Sequence, residues 1–166
     1  TQEGQWGREK ILGRANYLKE KNQAFYKAFR KDFISAGQMF TEGYKLYKYR
    51  INTVVKFLED NHANLIFGTD GVAMNMYTNP PGYNGFLEMK HWAGAGISLE
   101  TLFKAVTINN ARTFHIDNLY GSVEKNKIAN LVILDADPLK DVNAYNKIDY
   151  IIMRGEVIKR EKLSAD

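Results

Sequence analysis

The run Asn64-Leu65-Ile66-Phe67-Gly68-Thr69-Asp70-Gly71 constrains this chain more than any other stretch. Three consecutive apolar residues followed by glycine read as a short buried strand. Asp70 then falls where the strand meets a loop, so one carboxylate is presented at a strand end. Most residues that such an aspartate needs as partners are missing. There is no cysteine, and only three histidines, His62, His91 and His115, none of them in a His-x-His pair. The pattern points to a piece of an enzyme rather than a whole one.

The 166 residues are enough for one good core or two small ones. A hydrophobic content of 45% and a charged content of 25% suit a soluble globular protein. No stretch approaches the ~18 consecutive apolar residues of a membrane span. The first residues, Thr1-Gln2-Glu3-Gly4-Gln5-Trp6, contain no apolar run of a signal peptide, and the missing Met points to processing or to excision from a longer chain. The compartment stays open between cytoplasmic and exported.

Net charge is +4 and unevenly spread. Residues 1–60 carry twelve Lys/Arg against seven Asp/Glu, and residues 61–166 carry eleven against twelve. A basic, aromatic-rich first third could serve nucleic acid. The basic residues are scattered and mixed with acids, which favours solvated faces of amphipathic helices and no nucleic-acid partner.

Residues 6 to about 60 read as helical, with no Pro before Pro80. Tyr47, Ile51, Val54, Val55 and Leu58 share one helical face over 44–60. Phe25, Phe29 and Phe33, with Ala28, mark a second amphipathic helix that Gly37 ends. After the strand at 64–69 comes a loop of about 15 residues, a length usually associated with function. Asn79-Pro80-Pro81-Gly82 forces extended and turn geometry there. A helix over Gly85–Ala93 stops at Gly94-Ala95-Gly96. Ser98 caps a helix over Leu99–Thr107, and a short helix follows around Asn110–Phe114. The character then turns to β. Leu131–Leu134, Tyr150–Met153 and Val157-Ile158 read as strands, the last two joined by a tight turn with Gly155 at its special position.

The order of these pieces resembles the C-terminal portion of the metal-dependent amidohydrolase superfamily, in particular its imidazolonepropionase-like and prolidase-like members. Three segments carry the likeness. Ile66-Phe67-Gly68-Thr69-Asp70 is similar to the eighth barrel strand with its aspartate. Gly96-Ile97-Ser98-Leu99-Glu100 through Thr107-Ile108-Asn109-Asn110-Ala111-Arg112 is similar to the last barrel helices with their T-x-N-x-A-R pattern. Tyr120-Gly121-Ser122-Val123-Glu124-Lys125-Asn126-Lys127-Ile128-Ala129-Asn130-Leu131-Val132-Ile133-Leu134-Asp135 resembles the return into a small β-sandwich. Asp137-Pro138-Leu139 and Met153–Ile158 continue the pattern. Together they cover residues 64–160, and three weak motifs in the right order make a strong one.

There are departures. Asn126 stands where a Gly is usual, and Asn tolerates a left-handed backbone. Asn130 stands where an Asp is usual. No His occurs near Asn84-Gly85, where many relatives carry one.

The resemblance implies an α/β fold: the last strand and flanking helices of a (β/α)8 barrel over residues 1–115, then the C-terminal strands of a composite β-sandwich over 116–166. It implies that Asp70 is both metal ligand and catalytic proton shuttle, in a protein that hydrolyses a C–N bond of an amide, cyclic amide or dipeptide with metal-activated water. A carboxylate at a strand end suits that chemistry, although an aspartate there can also simply cap a turn. The complete protein would hold a divalent metal, zinc by this reading, while this piece alone would hold none and be inactive. The remaining ligands, and the strands that would cover the open edges, must come from a missing N-terminal half or a second chain. The loop Met74–Tyr83 would lie over the active site, with Met76, Tyr77 and Tyr83 against substrate. A non-catalytic binding module derived from the barrel is the alternative.

Overall fold

A computed structural model describes residues 43–69 and 83–163, together with residues 23, 24, 27 and 31, which are helical. The Phe25/Phe29/Phe33 set and Gly37 lie outside the described residues.

Helix α1 spans Gly43–Asp60. Its end is set by the backbone. His62 takes φ 52°, the His62 N–H donates to Glu59 O at 3.0 Å, and the Ala63 N–H donates to Leu58 O at 2.9 Å. This pair of bonds is a Schellman closure with histidine in the left-handed position that glycine usually holds. The apolar stripe expected here is only partly covered: Val55 and Leu58 are half-buried, while Ile51 and Val54 are exposed.

Helix α2 spans Tyr83–Ala95, two residues earlier than the sequence suggested. It ends the same way, with Gly96 at φ 101° and the Gly96 and Ile97 N–H groups returning to Ala93 O and Trp92 O. Helix α3, Leu99–Lys104, is capped as expected: the Ser98 hydroxyl accepts from the Thr101 N–H. The expected stop near Thr107 does not occur. The helix runs on through a wider π turn, Ala105–Asn109, into α4, Asn110–Thr113. His115, at φ 57°, closes it, with the His115 N–H on Arg112 O and the Ile116 N–H on Ala111 O.

The core lies between these helices. Leu102 and Ala105 are fully buried, and Phe86, Ile97 and Ala111 nearly so. Phe67 meets Trp92 edge to face at 5.5 Å between ring centroids, a geometry that the ring quadrupoles favour.

The rest is a three-stranded antiparallel sheet in the order β1-β2-β3, formed by Leu131–Leu134, Ile148–Met153 and Glu156–Lys159. Arg154 and Gly155 both have positive φ, as a tight two-residue hairpin requires. Register places Leu131, Ile152 and Val157 on one face and Val132, Ile151 and Ile158 on the other. Both faces are therefore apolar, yet no strand side chain is fully buried; Val132 and Val157 are 57% and 60% exposed. A sheet with two apolar faces is normally packed on both sides.

One expectation needs correction. Residues 64–69 are extended but belong to no sheet among the described residues. A parallel strand is defined by neighbours, and here side chains take the place of a neighbour.

Candidate functional site

Segment 65–69 is held along one edge by three asparagines. The Asn109 amide donates to Leu65 O at 3.1 Å. Asn110 makes both bonds that a strand neighbour would make to Phe67: its Oδ1 accepts from the Phe67 N–H at 3.0 Å, and its Nδ2 donates to Phe67 O at 2.9 Å. The Asn84 amide donates to Thr69 O at 3.2 Å. Residues 65, 67 and 69 alternate, so their carbonyls face one side of an extended chain. The backbone groups of Ile66 and Gly68, which face the other side, find no hydrogen-bond partner among the described residues.

Asn109 is the last residue of the π turn and Asn110 the first after it, so the two asparagines that reach this edge flank the end of the wider turn. An extra residue in the turn re-aims the side chains that follow. Sequence reading placed both asparagines in the T-x-N-x-A-R pattern but gave them no role. Their partners lie 43 and 44 residues away, and no local signal marks so distant a contact.

Asp70, Met76 and Tyr77 lie outside the described residues. Tyr83 is the first residue of α2 rather than part of a loop. Among the described residues no group of three His, Cys, Asp or Glu could hold a metal ion. His62 and His115 serve as helix-closing residues with left-handed backbone, and His91 is exposed on α2. The described residues alone therefore do not fit a metal centre, which needs about four ligands.

The best-built carboxylate among the described residues is structural. Glu59 Oε1 accepts from the Ser98 N–H and from the Thr101 hydroxyl, each at 3.1 Å. Burial opposes its charge, but hydrogen bonds from Ser98 and Thr101 and the nearby His62 outweigh that and hold its pKa below the usual value. A second cluster joins Ser122, Glu124 and Lys127. The Ser122 hydroxyl and the Lys127 ammonium depress the Glu124 pKa. Asn126, at φ 71°, makes the turn inside this cluster in the left-handed conformation that asparagine tolerates.

Comparison with known proteins covers the same stretch. The Amidohydrolase family profile matches residues 48–158. An imidazolonepropionase from Picrophilus torridus is 38% identical over 88 residues, which is 49% of this chain and 20% of that protein. A crystal structure of a Xaa-Pro dipeptidase with bound methionine in the active site superposes with a TM-score of 0.57 at 21% identity, over 66% of this chain and 25% of that one. A protein assigned as a prolidase in Bifidobacterium longum superposes with a TM-score of 0.55 at 28% identity, over 64% of this chain and 25% of that one. The chain thus spans only a fifth to a quarter of the length of these relatives.

Proposed function

This chain belongs to the amidohydrolase family, and on that premise we propose that it contributes the last barrel strand and the adjoining sheet of an imidazolonepropionase-like or prolidase-like hydrolase. In this reading residues 1–115 complete a (β/α)8 barrel and residues 116–166 complete a small β-sandwich. The substrate is an amide, cyclic amide or dipeptide, as the names of the relatives suggest, and the bond cleaved is C–N.

Asp70 is the residue that would act. It follows directly on the clamped segment 65–69, at the strand end where barrel enzymes place their chemistry. Its carboxylate would offer one oxygen to a divalent cation, zinc in this reading, and would accept and return a proton. The cation would supply Lewis acidity to activate water. Its other ligands would have to come from outside the described residues, since these contain no metal-holding group. The 166-residue chain by itself would then be inactive. Met76, Tyr77 and Tyr83 would contact substrate.

The observation that carries this reading is the order of the three family motifs over residues 64–160, coincident with the family match at 48–158. The uncovered apolar faces of the sheet, and the open edge at Ile66 and Gly68, favour a chain that works with further strands. Native mass spectrometry of the purified protein tests it. A complex that contains a second polypeptide and divalent metal, with metal lost in Asp70→Asn, is the expected result. A 19.0 kDa chain that stays monomeric and metal-free even when a complementing N-terminal half of such a hydrolase is supplied would instead support a non-catalytic module derived from the barrel.

A further inference from the structure

We propose that segment 65–69 accepts one further strand and no second. Asn84, Asn109 and Asn110 seal one edge with their side-chain amides, and the strand joins along the opposite edge, at Ile66 and Gly68. The occupant is an extended segment of the polypeptide that supplies the rest of the hydrolase, so the inference rests on the reading of this chain as part of one and adds which edge that polypeptide takes.

An extended segment has two edges, and alternate residues serve each. Leu65, Phe67 and Thr69 serve the first. Their carbonyls are each taken by a side-chain amide, and the Phe67 N–H donates to Asn110 Oδ1. The amide group of asparagine carries the same donor and acceptor as a peptide unit, so Asn110 stands where a residue of a neighbouring strand would stand. All four bonds are part-buried. A strand arriving on this side must break them and leave the displaced amides without partners. It would form about as many bonds as it breaks, so nothing drives it there.

The opposite edge differs. The backbone groups of Ile66 and Gly68 find no hydrogen-bond partner among the described residues. A strand added there breaks no bond and supplies the partners that buried backbone groups require. Space is open as well, because a Cβ built on Gly68 meets no atom within 4 Å. The side chain of Ile66 alternates with that of Phe67. Phe67 is covered by Trp92, whereas Ile66 is 44% exposed and gains cover from an incoming chain. The described strands do not supply it, since β1, β2 and β3 pair only with one another. The chain also spans only a fifth to a quarter of the length of its relatives, which leaves the other barrel strands to another polypeptide. A barrel completed in this way is joined by backbone on one side of 65–69 and by asparagine side chains on the other.

Amide hydrogen exchange is measured on the full chain, alone and co-expressed with the part of the Picrophilus torridus imidazolonepropionase that precedes the matched stretch. In the chain alone the Phe67 N–H should exchange slowly and the Ile66 and Gly68 N–H groups fast. Asn110→Leu should speed Phe67 by about tenfold, the scale of one net hydrogen bond. In the complex Ile66 and Gly68 should slow by at least about tenfold, and Asn110→Leu should still speed Phe67. Gly68→Pro leaves the clamp untouched but removes an N–H and sets its ring on the open edge. It should weaken the complex at least about tenfold while Phe67 exchange in the free chain stays as it was. Protection of Ile66 and Gly68 in the chain alone would overturn the proposal, as would unchanged Phe67 exchange in the free Asn110→Leu variant. Slow Phe67 exchange in the complex of Asn110→Leu would show a second strand on the sealed edge and overturn it too. A complex in which Ile66 and Gly68 stay fast sinks this inference alone; the absence of any complex sinks it together with the reading on which it rests.

Discussion

The Glu59 carboxylate and the Ser98 backbone N–H meet at 3.1 Å across 39 residues of chain. This bond fastens the last turn of α1 to the first turn of α3. The same carboxylate oxygen takes the Thr101 hydroxyl, and the Ser98 hydroxyl caps the Thr101 N–H. One acidic residue therefore satisfies donors at a helix start that is otherwise short of acceptors.

A pH dependence follows from this contact. The folded-state pKa of Glu59 lies below the ordinary 4.5. Its contribution to stability is complete above the ordinary value and is lost as pH falls through the lowered one. Glu124 and Asp141 are shifted the same way, by hydrogen bonds from Ser122 and Lys127 and from Asn143 respectively. Stability should therefore fall steadily on acidification below about 4.5. Glu59→Gln keeps an acceptor but cannot titrate, so denaturant unfolding across that range should show a shallower slope. An unchanged slope would mean that Glu59 takes no part in acid unfolding.

Gly121 lies where the chain leaving α4 crosses back over the helix. An added Cβ would meet the Ala111 Cβ at 2.6 Å and the Ile108 Cα at 3.0 Å, and φ is +89°. Both contacts are with groups that cannot swing aside, and Ala111 is itself buried. Gly121→Ala should cost roughly 2–4 kcal/mol, from overpacking and left-handed strain together. Thermal unfolding monitored by circular dichroism reads this as a clear drop in Tm. Gly155→Ala, where φ is +86° but no atom lies within 4 Å, should cost less, since only strain remains.

The same contrast explains what could be read from the sequence. The Ser98 cap, the α1 helix itself and the Arg154-Gly155 hairpin each arise within a few residues, and each was legible. Segment 64–69 was legible as extended, because Leu65-Ile66-Phe67 sits between turn-forming residues. Its lack of a sheet partner was not, because pairing is a non-local property. The π turn at 105–109 was hidden as well. Val106, Thr107 and Ile108 fit an ordinary helix pattern, and the contacts that Asn109 and Asn110 make are with residues more than forty positions away. Resemblance, more than periodicity, singled out Asp70.

His115 ends α4 with φ 57°, where a side chain strains the backbone. Its side chain is exposed. His115→Gly relieves that strain, at some cost in unfolded-state freedom, whereas His115→Ala keeps the strain. The glycine variant should be more stable than the alanine variant by about 0.5–1 kcal/mol, measured by urea unfolding. Equal stabilities would mean that the closure of Ile116 on Ala111 is not limited by the backbone at 115.

The structure shows which property the position of Asn130 needs. Its Oδ1 accepts from the Arg154 N–H at 2.8 Å, next to the Gly155 N–H that donates to Ala129 O at 3.0 Å. The two bonds tie the β2–β3 hairpin turn to the chain entering β1. Only an acceptor is used, and a carboxylate supplies one equally well. Asn130→Asp should therefore fold normally, with stability within about 0.5 kcal/mol of the parent. Asn130→Ala leaves the Arg154 N–H without its partner and should cost about 1 kcal/mol, with faster exchange at Arg154. A large loss in the aspartate variant would show that the amide donor at 130 matters after all.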